Sequence, residues 1–194
     1  MSGLVRVRRV TAAALLRRRE EVGRVYGEVF AEPPWCEGPK ETSAFVQRLP
    51  DDVLREGCVA ALAFGSGRDR ERVVGFATAW TTPAVFPTGR SYAAARAALG
   101  EKRTRLWLCG AREIDEIAVA PSARGAGVGT ALLGAVTTDA PDGGCWLLTS
   151  AAATGSLRFY RRLGWARATC PAPEGAGPVV LLGPGHPRRG DIPD

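Results

Sequence analysis

The sequence predicts a mixed α/β protein in which a central sheet carries helices on its faces. One observation behind this prediction is the order of apolar patterns, which read strand, helix, helix, strand, strand, strand, helix, strand, helix, strand, strand. The other is the stretch 113–134, which has the pattern of a strand, a glycine-rich loop and a helix. With 194 residues, the chain is predicted to form a single domain over residues 1–183, followed by a flexible tail at 184–194.

The chain begins with a predicted strand and a long amphipathic helix. Residues 4–10 alternate apolar and basic side chains, as a half-buried strand does, and Thr11 can cap the helix that follows. The helix is predicted to end before Pro33. Its apolar face recurs at three- and four-residue spacing and consists of Leu15, Val22, Val25, Tyr26, Val29 and Phe30.

The remaining elements are separated by glycine- and proline-rich turns. Further strands are predicted at residues 58–64, 72–82, 113–120, 145–150, 165–170 and 179–182, and further helices at residues 41–49, 91–99, 131–136 and 154–163. The turn at 65–69 makes a hairpin of the first two of these strands, and Gly164 ends the last helix. The insert at 83–105 either covers a substrate or packs against the core.

Charge and hydropathy exclude several kinds of partner. The net charge of +6 comes almost wholly from arginine, because Lys40 and Lys102 are the only lysines. The basic residues are spread along the chain without interleaved aromatic residues, so we expect no nucleic-acid partner. No stretch has the roughly 20 apolar residues that cross a bilayer, and the N-terminal segment is interpreted as mature protein, so we expect no membrane partner.

Cysteine and histidine usage excludes other chemistry. The five cysteines are scattered, odd in number and form no CxxC pair, which favours a reducing cytoplasm over disulfides or a metal site. His186 is the only histidine, so Ser-His and Cys-His catalysis and histidine-based metal sites are not expected.

The stretch 113–134 has the design of a phosphate site. Its glycines let the backbone approach an anion, and the N–H groups and dipole at the start of the following helix favour negative charge. A dinucleotide fingerprint fits poorly, because the glycine spacing differs and the loop lies past the middle of the chain. A nucleotide P-loop needs a lysine directly before the threonine that opens the helix, and here Gly129 occupies that position before Thr130. The pattern Arg/Gln-x-x-Gly-x-Gly/Ala fits residues 124–129 without a mismatch.

Two motifs in this order resemble the GNAT N-acetyltransferase superfamily. The run IAVAPSARGAGVGTALL is similar to its acetyl-CoA-binding motif, and RFYRRLGW, at residues 158–165, is similar to its later FYxxxGF segment. The resemblance implies the GNAT fold: a central mixed, mostly antiparallel sheet of six to seven strands, flanked by about four helices and splayed between the fourth and fifth strands. It also implies acetyl-CoA as co-substrate, no metal and, as in many members, a homodimer.

The resemblance assigns a set of residues to coenzyme A. The backbone of the glycine loop would hold the pyrophosphate, and the strand before it would pair with the pantetheine arm. Many relatives carry an asparagine where this chain has Ala153, and Thr154 or Ser156 can replace that contact. The residues assigned to the cofactor are Ile117, Ala118, Val119, Arg124, Gly125, Ala126, Gly127, Val128, Gly129, Thr130 and Thr154.

Direct acetyl transfer to an amine needs a base, oxyanion donors and an acid that protonates the leaving thiolate. Tyr160 matches the family tyrosine that acts as the acid; the alternative is a core aromatic. Glu113 and Asp115 share one face of their strand, and Glu116 lies on the other. Asp115 and Glu113 rank together as candidate bases and Glu116 third; the alternative is that all three are structural or solvated acids.

The acceptor is expected to bind near residues 30–39, FAEPPWCEGP, which we call the acceptor loop. Trp35 would supply an apolar wall, and Glu37 a carboxylate that attracts a cationic amine; the alternative is a turn with an anchoring aromatic. The loop loosely resembles those of aminoglycoside-type members, which favours a small aminosugar or polyamine-like acceptor. Rival hypotheses are an idle acyl-CoA-binding or sensor protein, a protein or peptide N-acetyltransferase, and a dinucleotide-dependent oxidoreductase.

Overall fold

The structure is a computed structural model that describes residues 5–65, 71–89, 91–169, 175 and 177–193. Its strands form a seven-stranded, mostly antiparallel sheet in the order β1-β2-β3-β4-β5-β7-β6, with β4 and β5 parallel. The mixed α/β class predicted from the sequence is therefore confirmed. The strands are β1 Arg6–Val10, β2 Val59–Gly65, β3 Arg72–Thr81, β4 Arg112–Val119, β5 Cys145–Ser150, β6 Ala166–Arg167 and β7 Pro178–Leu182.

The described residues form seven α-helices, more than the four expected to flank the sheet. They are α1 Ala12–Arg17, α2 Arg19–Phe30, α3 Pro39–Asp52, α4 Tyr92–Leu99, α5 Glu101–Arg103, α6 Val128–Thr137 and α7 Thr154–Arg162. The first predicted helix is two helices, and the insert supplies α4, where the sequence predicts a helix at residues 91–99, and α5, which the sequence pattern does not predict. A π-helical turn at Thr104–Leu108 follows α5, and short 3-10 turns occupy Pro121–Ala123, Pro141–Gly143 and Arg189–Asp191.

The break in the first helix lies at Arg18, whose φ of −106° and ψ of 11° are not helical. The predicted cap is confirmed, since Thr11 Oγ1 accepts from Ala14 N–H at 3.2 Å. Leu15 and Val22, on either side of the break, are both fully buried. The apolar spacing therefore continues through Arg18, which explains why the sequence pattern predicts one helix where the structure has two.

The next helix starts earlier and ends later than the predicted range 41–49. Proline is well tolerated in the first turn of a helix, and Pro39 begins α3. Glu41 Oε2 accepts from Gly38 N–H at 2.9 Å, which satisfies the N-cap. The proline and this hydrogen bond together place the start of α3 at the end of the acceptor loop.

The chain divides into two compact units, the first formed by residues 1–79 and 116–138 and the second by residues 80–115 and 139–194. In the first unit, α2 packs against α3, and α6 packs on β1 and β2. In the second, α4 packs against β7. The core of the first includes Val22, Tyr26, Phe30, Phe45, Leu62 and Phe76; that of the second includes Tyr92, Leu99, Trp107, Trp146, Val180 and Leu182.

The ladder between β4 and β5 is short, as the predicted splay requires. Arg112, Glu113 and Ile114 pair with the first three residues of β5, whereas β4 continues to Val119. Three sequence predictions fall partly outside the described residues: the start of the first strand at Leu4, the hairpin turn at 65–69 and the strand end at Cys170. The single domain and its flexible tail stay predictions.

Candidate active site

The glycine-rich loop between β4 and α6 has a backbone that glycine adopts without strain. Gly125 has a φ of 80° and Gly127 a φ of 76°, both in the left-handed region. A Cβ built on either residue meets no atom within 4 Å, so the backbone angle is what requires glycine, and the space above the loop is open. Gly127 is the N-cap of α6, and the buried side chain of Val128 anchors its first turn. The loop therefore presents exposed backbone at the start of a helix.

The first turn of α6 has N–H groups suited to an anion. The leading N–H groups of an α-helix have no partner within the helix, and the helix dipole adds partial positive charge there. In α6 these positions are Val128, Gly129 and Thr130. The next N–H group, that of Ala131, already donates to Gly127 O at 3.0 Å. The arrangement has the geometry of a phosphate site.

Arg124, the first residue of the loop, makes two contacts within the same compact unit. Its Nε donates to Val119 O at 3.2 Å, and its guanidinium pairs with Glu32 Oε2 at 2.9 Å. Glu32 belongs to the acceptor loop. The predicted cofactor loop and the predicted acceptor loop are thus joined by an exposed ion pair.

The second half of β4 directs alternate backbone groups toward its two edges. Ala120 N–H donates to Val74 O at 2.9 Å, and a Cβ on Gly75 would lie 2.9 Å from Ala118 O, so Ala118 and Ala120 face β3. Because alternate residues of an antiparallel strand bond to opposite edges, the backbone groups of Ile117 and Val119 point away from β3. An extended ligand can pair with a strand through such groups.

The two predicted acceptor residues lie in the same unit. Trp35 is half-buried and packs against Phe30, with ring centroids 5.8 Å apart, so it anchors its loop to the core. Glu37 Oε2 accepts from Tyr26 Oη at 2.6 Å. Burial, the charge of Glu116 and the bond to Glu37 together raise the pKa of Tyr26 well above its ordinary value, so it stays a neutral donor.

Glu116, the third-ranked candidate base, lies in an ionic network that the sequence analysis missed. Its Oε1 accepts from Arg48 Nη2 at 2.7 Å, and Arg48 Nε donates to Asp52 Oδ2 at 3.1 Å. Arg55 donates to the other oxygen of Asp52 at 3.0 Å. The arginines occur at four- and three-residue spacing from Asp52, and that spacing is a signal that could have found part of the network.

Glu113 is buried in the second unit and accepts two hydrogen bonds on one oxygen. Tyr92 Oη donates to Glu113 Oε2 at 2.7 Å, and Trp80 Nε1 donates to the same oxygen at 3.1 Å. Only 6% of Glu113 is exposed, 2% of Tyr92 and none of Trp80. Glu113 is therefore a buried carboxylate in a fixed orientation, whereas Asp115, two residues on, is half-buried.

The other predicted residues of the second unit lie on α7. Tyr160 is buried and packs against Phe159 and Trp165, with ring centroids 5.1 and 5.7 Å away. Thr154 is exposed at the first position of the helix, after the buried Ala153. Gly164 has a φ of 81°, which suits the predicted end of this helix.

One of the described cysteines, Cys145, is buried in the second unit. Burial raises the pKa of the Cys145 thiol to about 11, so it is protonated at neutral pH. Within the described ranges, no three histidine, cysteine or acidic residues come close enough together to hold a metal ion. In the same ranges, none of the helices has the length and apolar character to cross a membrane.

This chain is similar to known proteins in sequence and in fold. A family model described as the acetyltransferase (GNAT) family matches residues 25–165. No curated protein matches the chain. Among solved structures, "histone acetyltransferase HPA2 and related acetyltransferase" from Corynebacterium glutamicum superposes with a TM-score of 0.60 at 21% identity, covering 95% of this chain and 97% of that one.

Two further solved structures carry the cofactor in their names. The PaiA N-acetyltransferase of Thermoplasma acidophilum, in complex with coenzyme A, has a TM-score of 0.55 at 11% identity and covers 93% of this chain and 98% of its own. NAA60 of Arabidopsis thaliana, in complex with acetyl-CoA, has a TM-score of 0.54 at 15% identity and covers 92% and 97%. At these identities, the likeness shows the fold.

Proposed function

This chain belongs to the GNAT acetyltransferase family, and we propose that it is an acetyl-CoA-dependent N-acetyltransferase that moves an acetyl group directly to a primary amine of a small molecule. The observation that carries the proposal is the exposed loop with left-handed Gly125 and Gly127 at the start of α6. The solved complexes of similar fold with coenzyme A and acetyl-CoA support this choice of co-substrate.

The loop residues are proposed to bind the pyrophosphate of coenzyme A. The N–H groups of residues 125–130 would donate to its oxygens, and Arg124 would add positive charge. The outward backbone groups of Ile117 and Val119 support a strand-like pairing with the pantetheine arm. Ala118 is proposed to contribute to coenzyme A binding as part of β4. Thr154 is proposed to contribute through its hydroxyl, because the residue is exposed at the start of α7.

The two proton transfers at the ends of the reaction have proposed residues. Glu113 accepts the proton of the ammonium, directly or through water, with Asp115 as the second candidate. The free amine then attacks the thioester carbon, a C–N bond forms, the attacking nitrogen loses its second proton to solvent and the C–S bond breaks. Glu113 later releases its proton to solvent as well, so one proton is set free for each acetyl group transferred. Tyr160 protonates the departing thiolate and is itself restored from solvent. Burial favours the protonated form of a carboxylate, which makes the ionised form a stronger proton acceptor, and buried carboxylates are therefore frequent catalytic bases. Glu113 is buried whereas Asp115 is half-buried, which favours Glu113 as the base.

The acceptor is proposed to be a cationic aminosugar or polyamine-like amine. The support is local: Glu37 is a carboxylate oriented by Tyr26, Trp35 supplies an apolar wall, and Glu116 adds charge that reaches the Tyr26 hydroxyl. Carboxylates beside an aromatic wall attract a cationic ligand. The proposed setting is a reducing cytoplasm, in which the four described cysteines would stay reduced.

The test is release of free thiol from acetyl-CoA with a panel of amines: spermidine, kanamycin and a peptide with a free N-terminus. The proposal expects turnover with spermidine or kanamycin. Turnover with the peptide alone would favour the protein or peptide N-acetyltransferase instead. Tight binding of acetyl-CoA without turnover on any amine would favour an idle acyl-CoA-binding protein.

A further inference from the structure

Glu113 is held by a hydrogen-bonded triad that includes the insert between β3 and β4. Tyr92 Oη lies 2.7 Å from Glu113 Oε2, and Trp80 Nε1 lies 3.1 Å from that oxygen and 3.2 Å from Tyr92 Oη. The indole N–H is thus shared between the carboxylate and the hydroxyl. Tyr92 accepts from Trp80 and donates to Glu113, so the three groups form a closed triangle.

The donors are themselves fixed by packing. Phe86 meets the Tyr92 ring edge-on, with centroids 5.3 Å apart, and the Trp146 ring lies 6.5 Å away. Tyr92 is the first residue of α4, and α4 packs against β7. The insert, which the sequence left open as a substrate cover or plain packing, therefore contributes a side chain to the carboxylate proposed as the base.

The chemistry of the two donors decides what they do. A phenol and an indole are uncharged, so they fix the orientation of the carboxylate without neutralising its charge. Hydrogen bonds to the ionised form of an acid favour that form, whereas burial disfavours it. Loss of either donor should therefore favour the protonated form of Glu113. Two donors on one oxygen also restrict the side chain to one rotamer.

We propose that Tyr92 and Trp80 are positioning residues that orient the Glu113 carboxylate for accepting a proton in acetyl transfer. This inference rests on the proposed function, in which Glu113 is the base. The insert then belongs to the catalytic machinery through Tyr92. Its residues act on the reaction through Glu113 and need no contact with the amine.

The first experiment compares Tyr92→Phe with Thr82→Val. Thr82→Val also removes one hydroxyl from a buried hydrogen bond in the same unit, since Thr82 Oγ1 accepts from Trp146 Nε1 at 2.8 Å. For Tyr92→Phe we expect kcat on the plateau to fall about tenfold, the loss that matches one hydrogen bond to a charged group. The acid limb of the pH–rate profile should move up by about one pH unit. Thr82→Val should change neither.

A second pair repeats the comparison with indoles. Trp80→Phe removes the donor to Glu113, whereas Trp107→Phe changes a buried indole of the same unit that packs under the Arg103 guanidinium, 5.2 Å from its ring centroid. We expect the first to move the acid limb in the same direction as Tyr92→Phe and the second to leave it in place. A carbon-13 titration of the Glu113 carboxyl, assigned with Glu113→Gln, gives the same readout without an acceptor.

The outcomes separate this inference from the function on which it rests. If Tyr92→Phe and Trp80→Phe move the acid limb and the titration no more than their controls, the positioning role is wrong while the transferase stands. If Glu113→Gln keeps the full rate and the acid limb, the proposed base is wrong. Acetyl-CoA affinity should stay within about twofold in all variants, since none of these residues is assigned to the cofactor.

Discussion

At the scale of single residues, Tyr160 carries the proposed acid chemistry in one hydroxyl. Its ring is buried and packs against Phe159 and Trp165. Phenylalanine keeps that ring and its contacts, so the substitution isolates the hydroxyl from the packing. The two interpretations open from the sequence, acid or core aromatic, make opposite predictions for this one change.

Tyr160→Phe should lower kcat about a hundredfold, the lower end of what a general acid contributes, and leave the Kd of acetyl-CoA unchanged. Turnover is measured by thiol release and binding by calorimetry. Trp165→Phe serves as the control for packing at the same ring. Full turnover in Tyr160→Phe would remove this residue from the acid role and leave it a core aromatic.

His186 is a second residue whose chemistry is open to test. It is buried, its Nε2 lies 2.8 Å from Trp107 O, and its Nδ1 accepts from Arg188 N–H at 3.1 Å. In the neutral tautomer, Nε2–H donates to the carbonyl, and both ring nitrogens are used. A proton on Nδ1 would face the N–H of Arg188. Desolvation by burial accordingly lowers the pKa of His186 below its ordinary value.

A lowered pKa in the folded state predicts how stability depends on pH. The stabilisation is full above the ordinary histidine value of about 6.5 and is lost as the pH falls through the lower pKa of the folded protein. The unfolding free energy, measured by urea at pH 7.5 and 5.5, should fall less in His186→Gln than in the unaltered chain. An equal fall in both proteins would contradict the buried neutral imidazole.

At the scale of elements, the loop before α6 can be tested against its own helix. Gly127→Ala forces a side chain into a left-handed backbone, which costs about 1–2 kcal/mol, and narrows the open space above the loop. Gly134→Ala lies in α6 with open space around its Cβ and serves as the control. We expect Gly127→Ala to weaken acetyl-CoA binding at least about tenfold and Gly134→Ala to leave it unchanged. Equal affinities of Gly127→Ala and Gly134→Ala for acetyl-CoA would contradict the proposal that the loop binds the pyrophosphate.

The packing of α2 on α3 provides a second test at this scale. A Cβ on Gly23 would lie 2.5 Å from Val46 Cγ2, whereas one on Gly27 would lie 3.2 Å from Thr42 Oγ1. Gly23→Ala should therefore destabilise the protein by about 1–3 kcal/mol through overpacking, and adding Val46→Ala should recover part of this loss. Urea unfolding of the single and double variants measures the coupling. If the changes in unfolding free energy caused by Gly23→Ala and Val46→Ala simply add, the two side chains do not clash and the helices can move apart.

The elements also show which kinds of structure a sequence pattern predicts. The strand predicted at residues 145–150 matches β5 at both ends. An apolar run that is bounded by glycines before it and a turn after it defines the two ends of a buried strand well. The break at Arg18 lacks such a signal, since Leu15 and Val22 keep the spacing of one helix. The earlier start of α3 depends on the hydrogen bond from Gly38 N–H to Glu41. This contact joins two residues at the end of an irregular loop, which the apolar pattern of the helix does not reveal.

At the scale of the whole molecule, the sequence predicted the fold class and the family from two motifs and the order of elements. It also named the candidate site residues that lie close together along the chain, such as residues 124–130. It missed the partners that come from distant segments. Tyr92 reaches Glu113 across 21 positions and Arg48 reaches Glu116 across 68. Local periodicity carries no information on such pairs.

Calorimetric titration of the whole protein with acetyl-CoA, coenzyme A, NAD and NADP decides whether the loop at residues 124–130 binds the pyrophosphate of coenzyme A. Both coenzyme A species should bind, and NAD and NADP should not, with Gly127→Ala losing affinity for both coenzyme A species together. Binding of NAD or NADP without coenzyme A would show that this loop is not a coenzyme A site.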